Sequence, residues 1–357
     1  MSWQHALRGA WNQRGWLARA FWPVSGLSRW WVHAAQQRAR QNPPQRAAVP
    51  VVIVGNVVAG GAGKTPSTLA LARDLAARGE RPLILSKGHG RQAGGPAHFT
   101  VQAQTAAAVA GDEALLMAQQ SRCPVVVTRA RRAGIAWALQ QHPDTSVVLC
   151  DDGLQDHDLA ADVELVVHDA RGVGNGWLMP AGPLREPWPR HPWRVGVTTL
   201  HLLATAAHES PPELPDLSEP LWWVQRHLAP QVRRLDDTVT TSLSQWQQQP
   251  CQALAAIAKP EQFFAMLQAQ GLDLRARHAR PDHQALETAF RDLNEAWPLL
   301  VTAKDAVKLS SWPLAWQSRT WVLDLQFDLP EGLCLRVAQA VQKAREDLSS
   351  SHGKNTA

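Results

Sequence analysis

Short, wholly apolar runs alternate with stretches of helical period along much of the chain. Residues 50–54 form such a run, followed by a glycine-rich turn and a helical stretch over 65–77. Further apolar runs lie at 82–85, 124–127, 147–149 and 163–167, with helical patterns between several of them. Buried strands alternating with helices predict a mainly parallel sheet covered on both faces. Between about 205 and 250 the pattern weakens: Pro211, Pro212, Pro215 and Pro220 cluster, and glutamines fill 247–249. A new strand is expected at 253–257, then a helix through Phe263 and Leu267, and a long, polar helical end.

The opening segment has a different pattern. Leu27, Trp30, Trp31 and Ala34 keep the spacing of one helical face, and Trp3, Leu7 and Trp11 recur every fourth residue. Pro23 is expected to interrupt the helix. The organisation that follows is an arm over 1–46, a nucleotide-binding α/β domain over 47–205, a linker with a possible β-hairpin over 206–250, a smaller α/β domain over 251–345 and a polar tail over 346–357. A length of 357 residues favours two domains over one.

Charge sharpens the reading of the arm. Arg8, Arg14, Arg19, Arg29, Arg38, Arg40 and Arg46 all precede the first acidic residue, Asp74, and together exceed the whole formal surplus of +5. Interleaved with them are Trp3, Trp11, Trp16, Trp22, Trp30 and Trp31, six of the 17 tryptophans. No apolar run approaches the ~20 residues of a spanning helix. Residues 1–40 are therefore expected to lie on an anionic membrane surface, with tryptophans at headgroup depth; a helical arm packed on its own domain is the plainer alternative. No nucleic-acid motif accompanies the charge, and neither nucleic acid nor an obligate protein partner is expected. Cys123, Cys150, Cys251 and Cys334 are far apart, which argues against a disulfide framework or a zinc site.

Chemistry enters at Gly60, Gly61, Ala62, Gly63, Lys64 and Thr65, which sit between a strand and a helix as a phosphate-binding loop does. Such a loop turns backbone N–H groups toward phosphate oxygens, with Lys64 reaching the β- and γ-phosphates and Thr65 binding Mg²⁺. Val58 stands where the general motif has its first glycine, and Ala59 follows it. ATP and Mg²⁺ are the expected cofactors. Asp151 and Asp152 end the run beginning at Val147, where a carboxylate can hold the metal; they could equally be helix caps. Gly111-Asp112-Glu113 opens another helix, where acids could act as base and metal partner or simply complement the helix dipole.

Several stretches taken together resemble the tetraacyldisaccharide 4'-kinase family. They are Val54-Gly55-Asn56 leading into the loop and Pro66, Ser86-Lys87-Gly88-His89-Gly90, Gly111-Asp112-Glu113 and Asp151-Asp152-Gly153-Leu154-Gln155. Gly174-Asn175-Gly176 and Pro180-Ala181-Gly182-Pro183-Leu184-Arg185-Glu186 look like its signature, and Asp282-His283-Gln284 and Thr302-Ala303-Lys304-Asp305-Ala306-Val307-Lys308 its later segments. The resemblance implies transfer of the ATP γ-phosphoryl group to the 4'-hydroxyl of a lipid A disaccharide 1-phosphate, giving lipid IVA, at the cytoplasmic face of the bacterial inner membrane. By the same resemblance Asp112 is the base, His283 its partner from the second domain, and Glu113, Asp151 and Asp152 position Mg²⁺. Arg131 then lies near the phosphates or the substrate. The chain departs from the family at Lys87, His89, Asp156 and Ala303. A membrane-associated ATPase switch is the competing reading, although Ala59 occupies the place of that class's extra lysine.

Overall fold

Valines and an isoleucine, stiff at Cβ and suited to a pleated surface, fill Val51–Gly55 and make it β1, all five residues buried. The computed structural model containing it describes residues 11–354, apart from 12, 93, 207, 208, 210, 213, 215, 216, 218, 283 and 285. Around β1 the strands are β2 (Pro82–Ser86), β3 (His98–Thr100), β4 (Val125–Thr128), β5 (Val147–Asp151), β6 (Val163–His168) and β7 (Thr198–Ala206). They are followed by β8 (Leu221–Arg234), β9 (Thr240–Ser242), β10 (Pro250–Ala255), β11 (Asp273–Ala279), β12 (Leu299–Thr302) and β13 (Thr320–Gln326). One sheet runs through all of them in the order β11-β10-β12-β13-β8-β7-β6-β1-β5-β2-β4-β3, with β9 beside β8. Among the described residues only the β3–β4, β8–β9 and β8–β13 pairings are antiparallel. The mainly parallel α/β architecture expected from the alternation is the one the chain adopts.

Alternate residues of each strand face opposite layers. Val52, Val54, Ile84 and Leu149 pack beneath the helices Lys64–Ala77 and Glu331–Lys354, meeting Leu71, Leu75, Leu333 and Val337. Val51, Ile53, Leu83 and Val148 meet Ile135 and Ala138 of the helix Arg131–Gln141 on the other face. Each such side chain, once buried, contributes roughly 1.5–3 kcal/mol. A third core, with Phe263, Phe264 and Leu267 of the helix Pro260–Ala269, covers β8, β10, β12 and β13.

β8 is the element that positions the site. It runs parallel to β7 up to the pair Arg226 and Ala206, then antiparallel to β13 from His227, which pairs with Gln326. Since the partner direction reverses there, the carboxyl ends of the parallel strands on both sides converge at 226–228. Ligands of open α/β sheets bind outside such strand ends.

The arm helix, Trp16–Gln41, continues through Pro23 instead of breaking there. Arg19 and Pro23 are both exposed, so the carbonyl that loses its partner faces water, which limits the cost. Ala18, Ser25, Val32 and Ala39, seven residues apart, form its buried stripe, and the Ser25 hydroxyl donates to Leu178 O at 2.8 Å. Of the earlier tryptophans, Trp3 lies outside the described residues. No helix among the described residues is long and apolar enough to cross a membrane.

Candidate active site

The phosphate-binding loop is held from behind. Asn56, fully buried, donates to Val58 O (2.6 Å) and Gly60 O (3.2 Å), while its Oδ1 accepts from Lys64 Nζ (3.1 Å). The Ala59 N–H donates to Pro183 O at 2.7 Å and the Arg185 N–H to Val57 O at 2.8 Å. The Pro180–Glu186 signature is thus the back wall of the loop, and Val58, packed there against Leu184, takes the place of the usual glycine. Gly60 and Gly63 have φ of +96° and +92°, which an L side chain resists. Val58 and Ala59 brace the loop from behind, whereas Gly60, Gly61, Ala62, Gly63, Lys64 and Thr65 line a cavity of about 500 Å³.

Two aspartates close the loop's other side. Asp152, at φ +53°, receives two hydrogen bonds from Arg185 Nη1 (2.8 and 3.1 Å) and lies 3.5 Å from Lys64 Nζ. Burial favours its neutral form, but Lys64 and Arg185 outweigh that and hold its pKa below the usual value. Asp151 is buried and accepts from the Thr68 hydroxyl at 3.3 Å. Its pKa is pushed up to about 7, by burial first and then by Glu113 and Asp152. Arg131 donates to Asp151 O (2.7 Å), Asp152 O (2.8 Å) and Asp156 Oδ2 (2.9 Å), fixing the aspartate turn. Asp156 is therefore the counter-ion of a buried guanidinium.

Across the cavity, Gly111 packs so tightly on the Gly88-His89 backbone that a Cβ would lie 2.4 Å from His89 O. That contact starts the helix Asp112–Gln120 at the cavity rim. Lys304 Nζ pairs with Glu113 at 3.1 Å and Asp282 at 3.2 Å, and Lys308 Nζ with Asp112 at 3.1 Å. Burial opposes the charge of Lys304, yet Glu113 and Asp282 prevail and raise its pKa. Both lysines belong to the segment after β12, where Thr302 caps the helix Ala303–Ala306 by accepting from the Asp305 N–H. His283 lies outside the described residues; its neighbour Asp282 lines the cavity.

The donor set suits a magnesium nucleotide. Among the described residues no three His, Cys, Asp or Glu side chains form a protein-only metal cage. Mg²⁺ in such sites takes one or two carboxylates and fills its remaining positions with phosphate and water. A buried Asp151 crowded by Glu113 and Asp152 is the environment a divalent cation relieves.

A family model described as Tetraacyldisaccharide-1-P 4'-kinase matches residues 17–342. The chain belongs to that family. A tetraacyldisaccharide 4'-kinase of Acidovorax sp. (strain JS42) is 44% identical over 311 residues, covering 86% of each chain. One of Polaromonas naphthalenivorans (strain CJ2) is 38% identical over 356 residues, or 99% of each. A crystal structure of the "apo" form of LpxK from Aquifex aeolicus in complex with ATP has a TM-score of 0.74, covering 91% of this chain and 99% of that one. At 24% identity it establishes a shared fold. Family membership covers both the phosphate-loop side and the segments bearing Lys304 and Lys308. The sequence pattern had marked those segments but given these lysines no role; Arg226 and Lys259, which also line the cavity, lie in no motif.

Proposed function

We propose that this family member transfers the γ-phosphoryl group of ATP to the 4'-hydroxyl of tetraacyldisaccharide 1-phosphate, forming lipid IVA. The observation that carries this reading is the single cavity where the phosphate loop faces Glu113, with Asp112 on the same first helical turn. Phosphoryl transfer needs alignment and charge neutralisation more than covalent help. Lys64 and the loop N–H groups bind the nucleotide phosphates. Asp112 accepts the proton of the acceptor hydroxyl, with Lys308 paired to it at 3.1 Å and orienting it, and His283 is assigned as its partner. Thr65, Glu113, Asp151 and Asp152 would hold Mg²⁺, which when bound neutralises charge on the transferring group.

We also assign the arm to the anionic cytoplasmic surface of the inner membrane. Trp16, Leu27, Trp30 and Trp31 are exposed on the side away from the buried stripe, and Trp22, also exposed, flanks the stripe beside Trp177; Arg19 and Arg29 are exposed among them. A substrate with four acyl chains stays in the bilayer, so its kinase must work at that surface.

The test is transfer of radiolabelled γ-phosphate from ATP to tetraacyldisaccharide 1-phosphate in mixed micelles. Labelled lipid should form with the wild type, and fall at least about 100-fold with Lys64→Ala or Asp112→Asn. ATP hydrolysed on acceptor-free liposomes, with no labelled lipid, would reject the kinase and favour an ATPase switch.

A further inference from the structure

Most cations around the cavity already have carboxylate partners. Lys64 and Arg185 pair with Asp152, Lys304 with Glu113 and Asp282, and Lys259 with Asp169 at 3.3 Å. Arg226 differs. Among the described residues no carboxylate oxygen lies within ion-pair distance of it; its Nη1 reaches only the neutral Gln262 Oε1, at 3.3 Å. Its Nε is buried with no hydrogen-bond partner, and its guanidinium stands 5.6 Å from the centroid of Phe327.

Its position is set by the topology. Arg226 is the last residue of β8 in parallel register with β7, on the carboxyl edge that also carries the phosphate loop. Its Nη2 lies 3.6 Å from where a Cβ on Gly63 would be, and Phe327 Cζ 3.1 Å from the same point. The strand shared by the two halves of the sheet thus sets a guanidinium against the turn that opens the phosphate-loop helix. Arg226 lines the cavity with no carboxylate in ion-pair distance and with its buried Nε unpaired, and phosphate oxygens can accept from such a planar fork.

We infer that Arg226 is an anion-binding residue of the active site that contacts a phosphate oxygen of the bound substrates. The inference rests on the kinase reading above. Two phosphates could supply that oxygen, the nucleotide's or the acceptor's 1-phosphate, and the assay separates them. Arg171 differs in having a carboxylate partner: its Nε donates to Asp169 Oδ2 at 2.9 Å and its Nη1 to Ala59 O at 2.9 Å.

The experiment measures ATP binding by equilibrium dialysis without lipid, and KM for each substrate, in wild type, Arg226→Gln and Arg226→Lys. Loss of a charged hydrogen bond should weaken the affected substrate about ten- to a hundred-fold in Arg226→Gln. Weaker ATP binding in dialysis assigns the nucleotide; a raised KM for lipid alone assigns the 1-phosphate. Arg226→Lys keeps the charge but not the planar fork, so a several-fold loss is expected there too, which serves if the Gln variant does not fold. ATP binding and both KM values within about two-fold of wild type, in a folded variant, would overturn the assignment. Failure of the kinase reading itself looks different: wild type and Lys64→Ala would be equally inactive.

Discussion

Asp151 shows how burial and a neighbouring charge act on one carboxyl. Its pKa near 7 in the folded chain lies well above the roughly 3.9 of an unfolded aspartate. Between those values the native state binds the extra proton, so this group's contribution to stability falls as pH rises toward 7 in metal-free protein. A bound divalent cation favours the ionised form and offsets the loss. Saturating Mg²⁺ with nucleotide should therefore raise the melting temperature more at pH 8 than at pH 6, and Asp151→Asn should remove most of the difference. Equal shifts at both pH values in the wild type would show that Asp151 does not face the metal. The place of Asp151 at a strand end was legible in the sequence. Its environment was not, because Glu113 comes from a distant segment and Arg131 turned out to sit behind the pair.

At the scale of elements, the helix Trp16–Gln41 has two unlike faces. Its buried stripe is narrow and small, seven residues apart, so the aromatic side chains are left outside. Trp30→Ser combined with Trp31→Ser should reduce sedimentation with vesicles containing anionic lipid by at least about ten-fold while leaving ATP binding intact. Unchanged sedimentation would assign the tryptophans another surface. The pattern identified this helix but misjudged Pro23, because periodicity does not show which carbonyls face water. The helix Ala303–Ala306 is a case of the opposite kind. It is too short for periodicity to find, and it was recognised only as part of a motif, although it carries Lys304 and directs Lys308 toward the acidic helix start.

For the whole molecule, the continuity of the sheet was the least legible property, since it depends on β8, whose partners lie 7 residues away at Thr240 and 99 away at Gln326. The helix Glu331–Lys354 adds a second tie: it follows β13, yet Leu333, Val337 and Val341 pack in the core of the phosphate-loop side, and Arg345 meets Glu80 at 2.6 Å. Leu333→Ala should cost about 2–5 kcal/mol. Denaturant unfolding should show that loss in one transition, with the same midpoint whether followed near Trp193 or near Trp246. Two separated transitions would mean that the ties are weaker than their packing implies.

β8 also sets how the cavity can deform. Leu228 pairs with Leu325 and Val232 with Leu323, so three residues, Ala229, Pro230 and Gln231, stand opposite Asp324 alone. Pro230 has no N–H to give, and a bulge is where a strand tolerates that. The strand is thus weakest just beyond the point where the two carboxyl edges meet. A chain joined there by a loose loop would gape freely; one joined by a kinked strand behaves as a flexure, stiff in shear and compliant only in bending. Substrates would then meet a mouth that opens along a single angle, with its walls kept in register throughout the stroke.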